Sequence, residues 1–203
     1  VLKPVIQSGG SDSAALDSVF ELLVHAGRSV PLAKTMLIPE AWADRSDLSD
    51  EVRALYLYCN CVMEPWDGPA AIAASDGRWV IAGMDRNGLR PLRFSETTDG
   101  LLFVGSETGM VPIPERNLVH CGRIGPGQMI ALDLANGRLY RDGEIKETLA
   151  AENPYRSWVG HITHLDSLIQ AGDGATRLYD KGELKTRQRA ASYTIEDLEL
   201  ILQ

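Results

Sequence analysis

The sequence predicts an α+β protein, with helices packed against a mainly antiparallel sheet, and three observations predict it. Apolar residues recur at helical spacing through the first third of the chain. From residue 68 to residue 143 the texture changes to short runs suited to strands, divided by Asx-Gly pairs. That close punctuation suits hairpins and leaves no room for the helix-length crossovers that parallel strands need.

The elements follow in order. Ser11-Asp12-Ser13 precedes Ala14, Ala15, Leu16, Val19, Phe20 and Leu23, which predicts a capped helix over 12–26, stopped by Gly27. Ser29 and Pro31 open a shorter helix running to Leu37, since proline is tolerated in a first helical turn. Leu48, Val52, Leu55, Tyr56, Cys59, Val62 and Met63 mark a third helix over 48–63, ended by Pro65. Strands are expected at 70–74, 78–84, 90–95, 101–105, 128–132 and 138–141. Asp76-Gly77, Asn87-Gly88, Asp99-Gly100, Asn136-Gly137 and Asp142-Gly143 read as the turns between them, because these residues tolerate positive φ. Asn87-Gly88, between Trp79-Val80-Ile81-Ala82 and Leu92-Arg93-Phe94, reads as a two-residue hairpin turn. Near Glu152-Asn153-Pro154-Tyr155 the strand texture ends. Gly172-Asp173-Gly174-Ala175 reads as a loop or linker, and 194–203 as a capped helix.

A chain of 203 residues accommodates one domain and an appendage. Its net charge of −8, with no basic run to offset it, argues against nucleic-acid and anionic-membrane partners. No apolar stretch approaches the roughly 20 residues that span a bilayer, and the first residues lack a signal-peptide pattern. Three cysteines (Cys59, Cys61 and Cys121) are too few and too odd in number for a secreted disulfide framework, so cytoplasm is the expected compartment.

Three segments stand out: Ile38-Pro39-Glu40-Ala41-Trp42, Met63-Glu64-Pro65-Trp66-Asp67-Gly68-Pro69-Ala70, and Met84-Asp85-Arg86-Asn87-Gly88-Leu89-Arg90-Pro91. With Ser11-Asp12-Ser13 upstream and Gly105-Ser106-Glu107-Thr108-Gly109 downstream, the chain resembles the class II glutamine amidotransferases. The two tryptophan-proline clusters resemble the amidotransferase domain of glutamate synthase large subunits in particular. The resemblance implies part of an N-terminal-nucleophile hydrolase-type αββα sandwich. It assigns residues 1–155 to the C-terminal part of the amidotransferase domain, and 156–203 to a linker and the start of a central domain. The implied activity is hydrolysis of glutamine to glutamate and ammonia, with the ammonia passed to 2-oxoglutarate and the imine reduced. Asp12 falls on the family's aspartate for the glutamine α-ammonium, and Ser11 and Gly10 shape the same wall. The family nucleophile is an N-terminal cysteine whereas this chain starts at Val1. The nucleophile, the carboxylate-binding arginine and the Asn-Gly oxyanion segment are therefore expected before Val1, and the chain alone is expected to be inactive. The parent enzyme implies a flavin (FMN) and an iron–sulfur cluster in its later domains, and neither on this chain. The implied partners are glutamine and the remainder of the same polypeptide.

Each motif also has a plainer reading. Asp12 suits an ordinary helix start, where a carboxylate meets the positive end of the helix dipole. Arg86 and Arg90 are expected to tie down neighbouring loops. Gly105–Gly109 and Gly122–Gly127 lack a P-loop ending and read as turns. His161 and His164 have helical i, i+3 spacing but no third ligand at a metal spacing. Cys59 reads as core, and neither Cys61 nor Cys121 has an evident activating base. Two competing functions are a purine-pathway or sugar-phosphate amidotransferase, against which Trp42 and Trp66 argue, and a non-catalytic interaction domain that keeps the fold.

Overall fold

A computed structural model describes residues 4–163, 165–168, 179–194 and 197 of the chain. Its first helices begin where the sequence supplies caps. Ser11 accepts a hydrogen bond from the Ala14 N–H at the head of α1 (Asp12–His25), and Gly27 follows its end at φ +92°. Pro31 lies in the first turn of α2 (Val30–Leu37). Ser49 accepts from the Val52 N–H to cap α3 (Asp50–Val62).

The strands are β1 (Ala71–Ser75), β2 (Trp79–Met84), β3 (Arg93–Thr97), β4 (Leu102–Gly105), β5 (Leu118–Arg123), β6 (Met129–Asp133) and β7 (Arg138–Tyr140). All pairings among them are antiparallel, forming one sheet in the order β1-β2-β6-β7 and another in the order β4-β3-β5. The α+β class holds. Register explains the layering, since successive residues of a strand point to opposite faces. In β2 and β6, Trp79, Ile81, Met129 and Ala131 join the core made with the helices. Ala82, Met84 and Ile130 point the other way and meet Phe94, Leu102 and Val104 of the second sheet, with Leu92 and Ile124 at the ends of its strands. The layers run helices, sheet, sheet.

Three expectations are corrected. Asn87-Gly88 does not close a β-hairpin: β2 pairs with β1 and β6, while β3 pairs with β4 and β5. The turn instead carries the chain between the sheets, because the Asp85 carboxylate collects the Asn87 and Gly88 N–H groups at 2.8 Å each. Asp142-Gly143 does not end a hairpin either, but opens α4 (Asp142–Ala151), which buries Ile145, Leu149 and Ala150. The Asp142 carboxylate accepts the Met129 N–H at 2.9 Å, which ties the start of that helix to β6. The strand missed altogether is β5, a sheet edge in which Val119, His120 and Cys121 are all exposed, so no apolar alternation announces it. The expected helices over 12–26 and 48–63 form, but α2 and α4 lie closest to the first sheet, with α1 packed on α2 and α3 on α4. A short helix, α5 (Tyr155–Val159), packs against α3.

The chain divides into two units, residues 1–162 and 163–203. The second contains α6 (Leu165–Leu168) and α7 (Lys181–Ala190), whose cap Asp180 accepts from the Gly182 and Glu183 N–H groups. Arg187 on α7 pairs with Glu183 and lies 4.5 Å from the Tyr179 ring centre. The expected loop at 172–175, His164, and all of the expected helix over 194–203 except Thr194 and Asp197 fall outside the described residues. Among the described residues no helix is long and apolar enough to cross a membrane.

Candidate functional site

Gly10, Ser11 and Asp12 lie together at the head of α1. The Gly10 N–H turns back to the Gln7 carbonyl at 3.2 Å. Ser11 caps the helix and lies 3.2 Å, oxygen to oxygen, from the Ser13 hydroxyl. Asp12 is the first helical residue and is exposed, and its carboxylate pairs with none of the described residues. The arrangement places an exposed carboxylate, without a partner among the described residues, on the first residue of a capped helix.

The other sequence motifs converge elsewhere, on a buried polar core. Glu40 of the Pro-Glu-Ala-Trp segment is 4% exposed. Its Oε1 accepts from the Tyr56 hydroxyl at 2.7 Å and from Lys146 Nζ at 2.8 Å, and its Oε2 accepts from Arg45. Burial alone pushes the Glu40 carboxyl up, but Lys146, Tyr56 and Arg45 outweigh it and hold the group below the usual carboxylate range. Lys146 also donates to Asp142 at 2.7 Å. Tyr56, buried beside that carboxylate, has its hydroxyl pushed upward and stays protonated.

Asp85 of the third motif is buried and receives a further backbone N–H from Ala70 at 3.0 Å. The Gly127 N–H donates to the Asp85 carbonyl at 2.7 Å. Glycines make the junction possible. At Gly127 (φ +69°) a Cβ would lie 2.3 Å from Glu40 Cβ, and at Gly88 (φ +65°) it would lie 2.7 Å from Pro126 Cγ. Arg86 reaches Asp67 at 3.4 Å across to the second tryptophan segment, as its loop-tying reading expects, while Arg90 is exposed and pairs with none of the described residues. Trp42 stacks on Tyr56 at 5.7 Å, and a cavity of about 350 Å³ opens between Pro39, Glu40, Trp42, Pro65 and Arg86.

The glycine segments are turns. The Gly125 N–H is spent on Gln128 Oε1 at 2.8 Å, and that of Gly127 on Asp85, so neither is presented to an anion. Burial raises the Cys59 thiol to about 12. Cys61 and Cys121 are exposed and unpaired. Among the described residues no group of three or more His, Cys, Asp and Glu side chains is placed to hold a metal.

Sequence reasoning singled out Glu40 only as part of a motif and passed over Lys34 and Lys146. The available signal was a lysine in an otherwise apolar helical stretch, Val30-Pro31-Leu32-Ala33-Lys34-Thr35-Met36-Leu37, of which every residue is buried.

The family described as Glutamine amidotransferases class-II matches residues 1–158. The chain belongs to that family. It is 55% identical over 203 residues to the glutamate synthase [NADPH] large chain of Azospirillum brasilense, covering 99% of this chain and 13% of that protein. It is 40% identical over 201 residues to the glutamate synthase [NADPH] large chain of Bacillus subtilis, covering 98% of this chain and 13% of that one. Against the ferredoxin-dependent glutamate synthase 2, chloroplastic, of Arabidopsis thaliana it is 38% identical over 205 residues, covering 100% of this chain and 12% of the plant protein. The chain thus spans about 13% of the length of these relatives. The matched amidotransferase span holds both sheets, α1 to α4 and most of α5. The glutamate synthase similarity runs on through α6 and α7 as well.

Proposed function

We propose that this chain is part of the glutamine-hydrolysing domain of a glutamate synthase, supplying the wall that holds the glutamine ammonium. Asp12 is the observation that carries the reading: an exposed carboxylate with no partner among the described residues, borne on the first residue of a capped helix inside the amidotransferase span. By resemblance to the family it receives the α-ammonium of glutamine, with Ser11 and Gly10 beside it. Similarity along nearly the whole chain to glutamate synthases supports a parent enzyme that passes the released ammonia to 2-oxoglutarate.

The reading gives this chain a binding role. Acyl transfer needs an activated nucleophile and oxyanion donors held together. Cys59 is buried with its thiol raised to about 12, and Cys61 and Cys121 are free thiols on the surface. The 203-residue chain by itself is therefore expected to release no glutamate from glutamine. FMN and the iron–sulfur cluster belong to other parts of the parent. Three cysteines, one of them buried, do not fit a four-cysteinate cluster. Residues 156–203 are read as the linker and the start of the central domain, and the working compartment as cytoplasm.

The test is Asp12→Asn in the full-length protein, which keeps the shape and removes the charge. Asp12 is exposed in this chain, and once bound glutamine and the rest of the domain cover it, losing one partner of the resulting charge pair costs about 3–5 kcal/mol. At ~1.4 kcal/mol per decade, kcat/KM for glutamine should fall by about 10²- to 10³-fold. Activity with free ammonia bypasses the glutamine pocket and should survive. Parallel loss of both activities would make Asp12 a helix-start residue and no more.

A further inference from the structure

Lys34 is the least expected side chain in the fold. It leaves α2, is 1% exposed, and donates from Nζ to the Gly127 carbonyl at 2.8 Å, its one hydrogen bond. Its path crosses the helix-facing side of β2 at Gly83, where a Cβ would lie 2.9 Å from Lys34 Cε. The charged groups around it are already committed. Glu40, just beyond α2, is held by Tyr56 of α3, by Lys146 and by Arg45. On α4, Asp142 is held by Lys146 and the Met129 N–H. After β2, Asp85 is held by three backbone N–H groups. The 125–128 turn contributes only a carbonyl to Lys34.

One acceptor satisfies a neutral amine far better than an ammonium, whose three N–H donors would leave two unmatched in the interior. We propose that Lys34 is a pH-sensitive latch: neutral, it fastens the 125–128 turn to α2, and on protonation it lets that turn open, together with the 85–90 loop resting on it. The loop follows because Gly127 donates to the Asp85 carbonyl and Pro126 packs against Gly88. The latch is independent of the glutamine reading.

Burial, then repulsion by Lys146, lowers the Lys34 amine to about 7, against weaker raising by Asp142, Glu40 and Asp85. The closed value lies below the ordinary 10.5, so the open form holds more protons between these two pH values. The closed state therefore gains stability as pH rises through that window and is weakest at and below pH 7. Across pH 8 to 6 the opening equilibrium should rise by about tenfold.

Hydrogen exchange read by mass spectrometry tests this on the full-length protein, wild type and Lys34→Met, between pH 6 and 8.5. After correction for intrinsic rates, wild-type peptides covering 82–90 and 124–129 should lose about tenfold protection from pH 8 to 6, relative to 12–25. In Lys34→Met the same peptides should show no such dependence. Equal pH slopes in the two proteins would overturn the latch. If the variant fails to fold, the wild-type comparison decides alone: 82–90 and 124–129 tracking 12–25 at every pH would also overturn it.

Discussion

Gly127 occupies a point where even a methyl group has no room. Its φ of +69° and a Cβ position 2.6 Å from Glu40 Cα mean that Gly127→Ala must move backbone as well as adopt a left-handed conformation. Strain of this kind costs about 1–3 kcal/mol, and overpacking about 1–3 kcal/mol more. Gly77 has nearly the same backbone, φ +87°, with nothing within 4 Å of its Cβ position, so Gly77→Ala should cost only about 1 kcal/mol. Urea unfolding of the two variants should separate them by at least about 1 kcal/mol. Equal losses would mean that conformation alone matters at both sites. Beside Gly127, Lys146→Met leaves Glu40 buried with one cation fewer, and about 3–5 kcal/mol of stability should go with it, read from the same curves. Only the conformation of these positions was legible in the sequence, since Gly and Asx-Gly pairs announce positive φ. Nothing in the chain order says that Glu40 lies above Gly127, because 87 positions separate them and the contact is made by packing.

At the scale of elements, α3 shows what periodicity can and cannot give. Val52, Leu55, Tyr56 and Cys59 share its buried face, whereas Cys61 is exposed. Iodoacetamide at pH 8 should therefore alkylate Cys61 and Cys121 and spare Cys59, whose thiol is both inaccessible and pushed up to about 12. Peptide mass spectrometry gives the answer, and rapid modification of Cys59 in folded protein would contradict the packing. Ser49→Ala removes the side-chain acceptor for the Val52 N–H and should cost about 1 kcal/mol, measured as a shift in the unfolding midpoint. Caps like Ser11 and Ser49 were readable because the bond is local. The Asn87-Gly88 turn was misread for the converse reason. Its hydrogen bonds resemble those of a hairpin turn, but which strands it joins depends on pairings made by β6 and β5, far along the chain.

At the scale of the whole molecule, both sheets keep open edges among the described residues. Among the described residues β1, β7, β4 and β5 each pair on one side only, and Leu101, Met110 and Val119 of the second sheet and its loops are 52%, 55% and 60% exposed. Unpaired edges and exposed apolar side chains promote association. The isolated 203-residue chain is expected to aggregate, or to be ordered only against further polypeptide. Size-exclusion chromatography and circular dichroism will decide, and a monodisperse monomer with a cooperative melt would count against the expectation. The sequence by itself determined the α+β class, the helices capped by Ser11 and Ser49, most of the strands, and the placing of Asp12 at a helix start. All of these rest on hydrophobic period, caps and turn residues, which act over a few positions. Only the tertiary structure decided how the strands divide into two sheets and that α4 replaces a turn at Asp142-Gly143. It alone brings Lys34, Glu40 and Asp85 to Gly127, and Lys146 to Glu40. Buried charges become favourable through partners brought from distant segments, and that neutralisation exists only once the layers have packed.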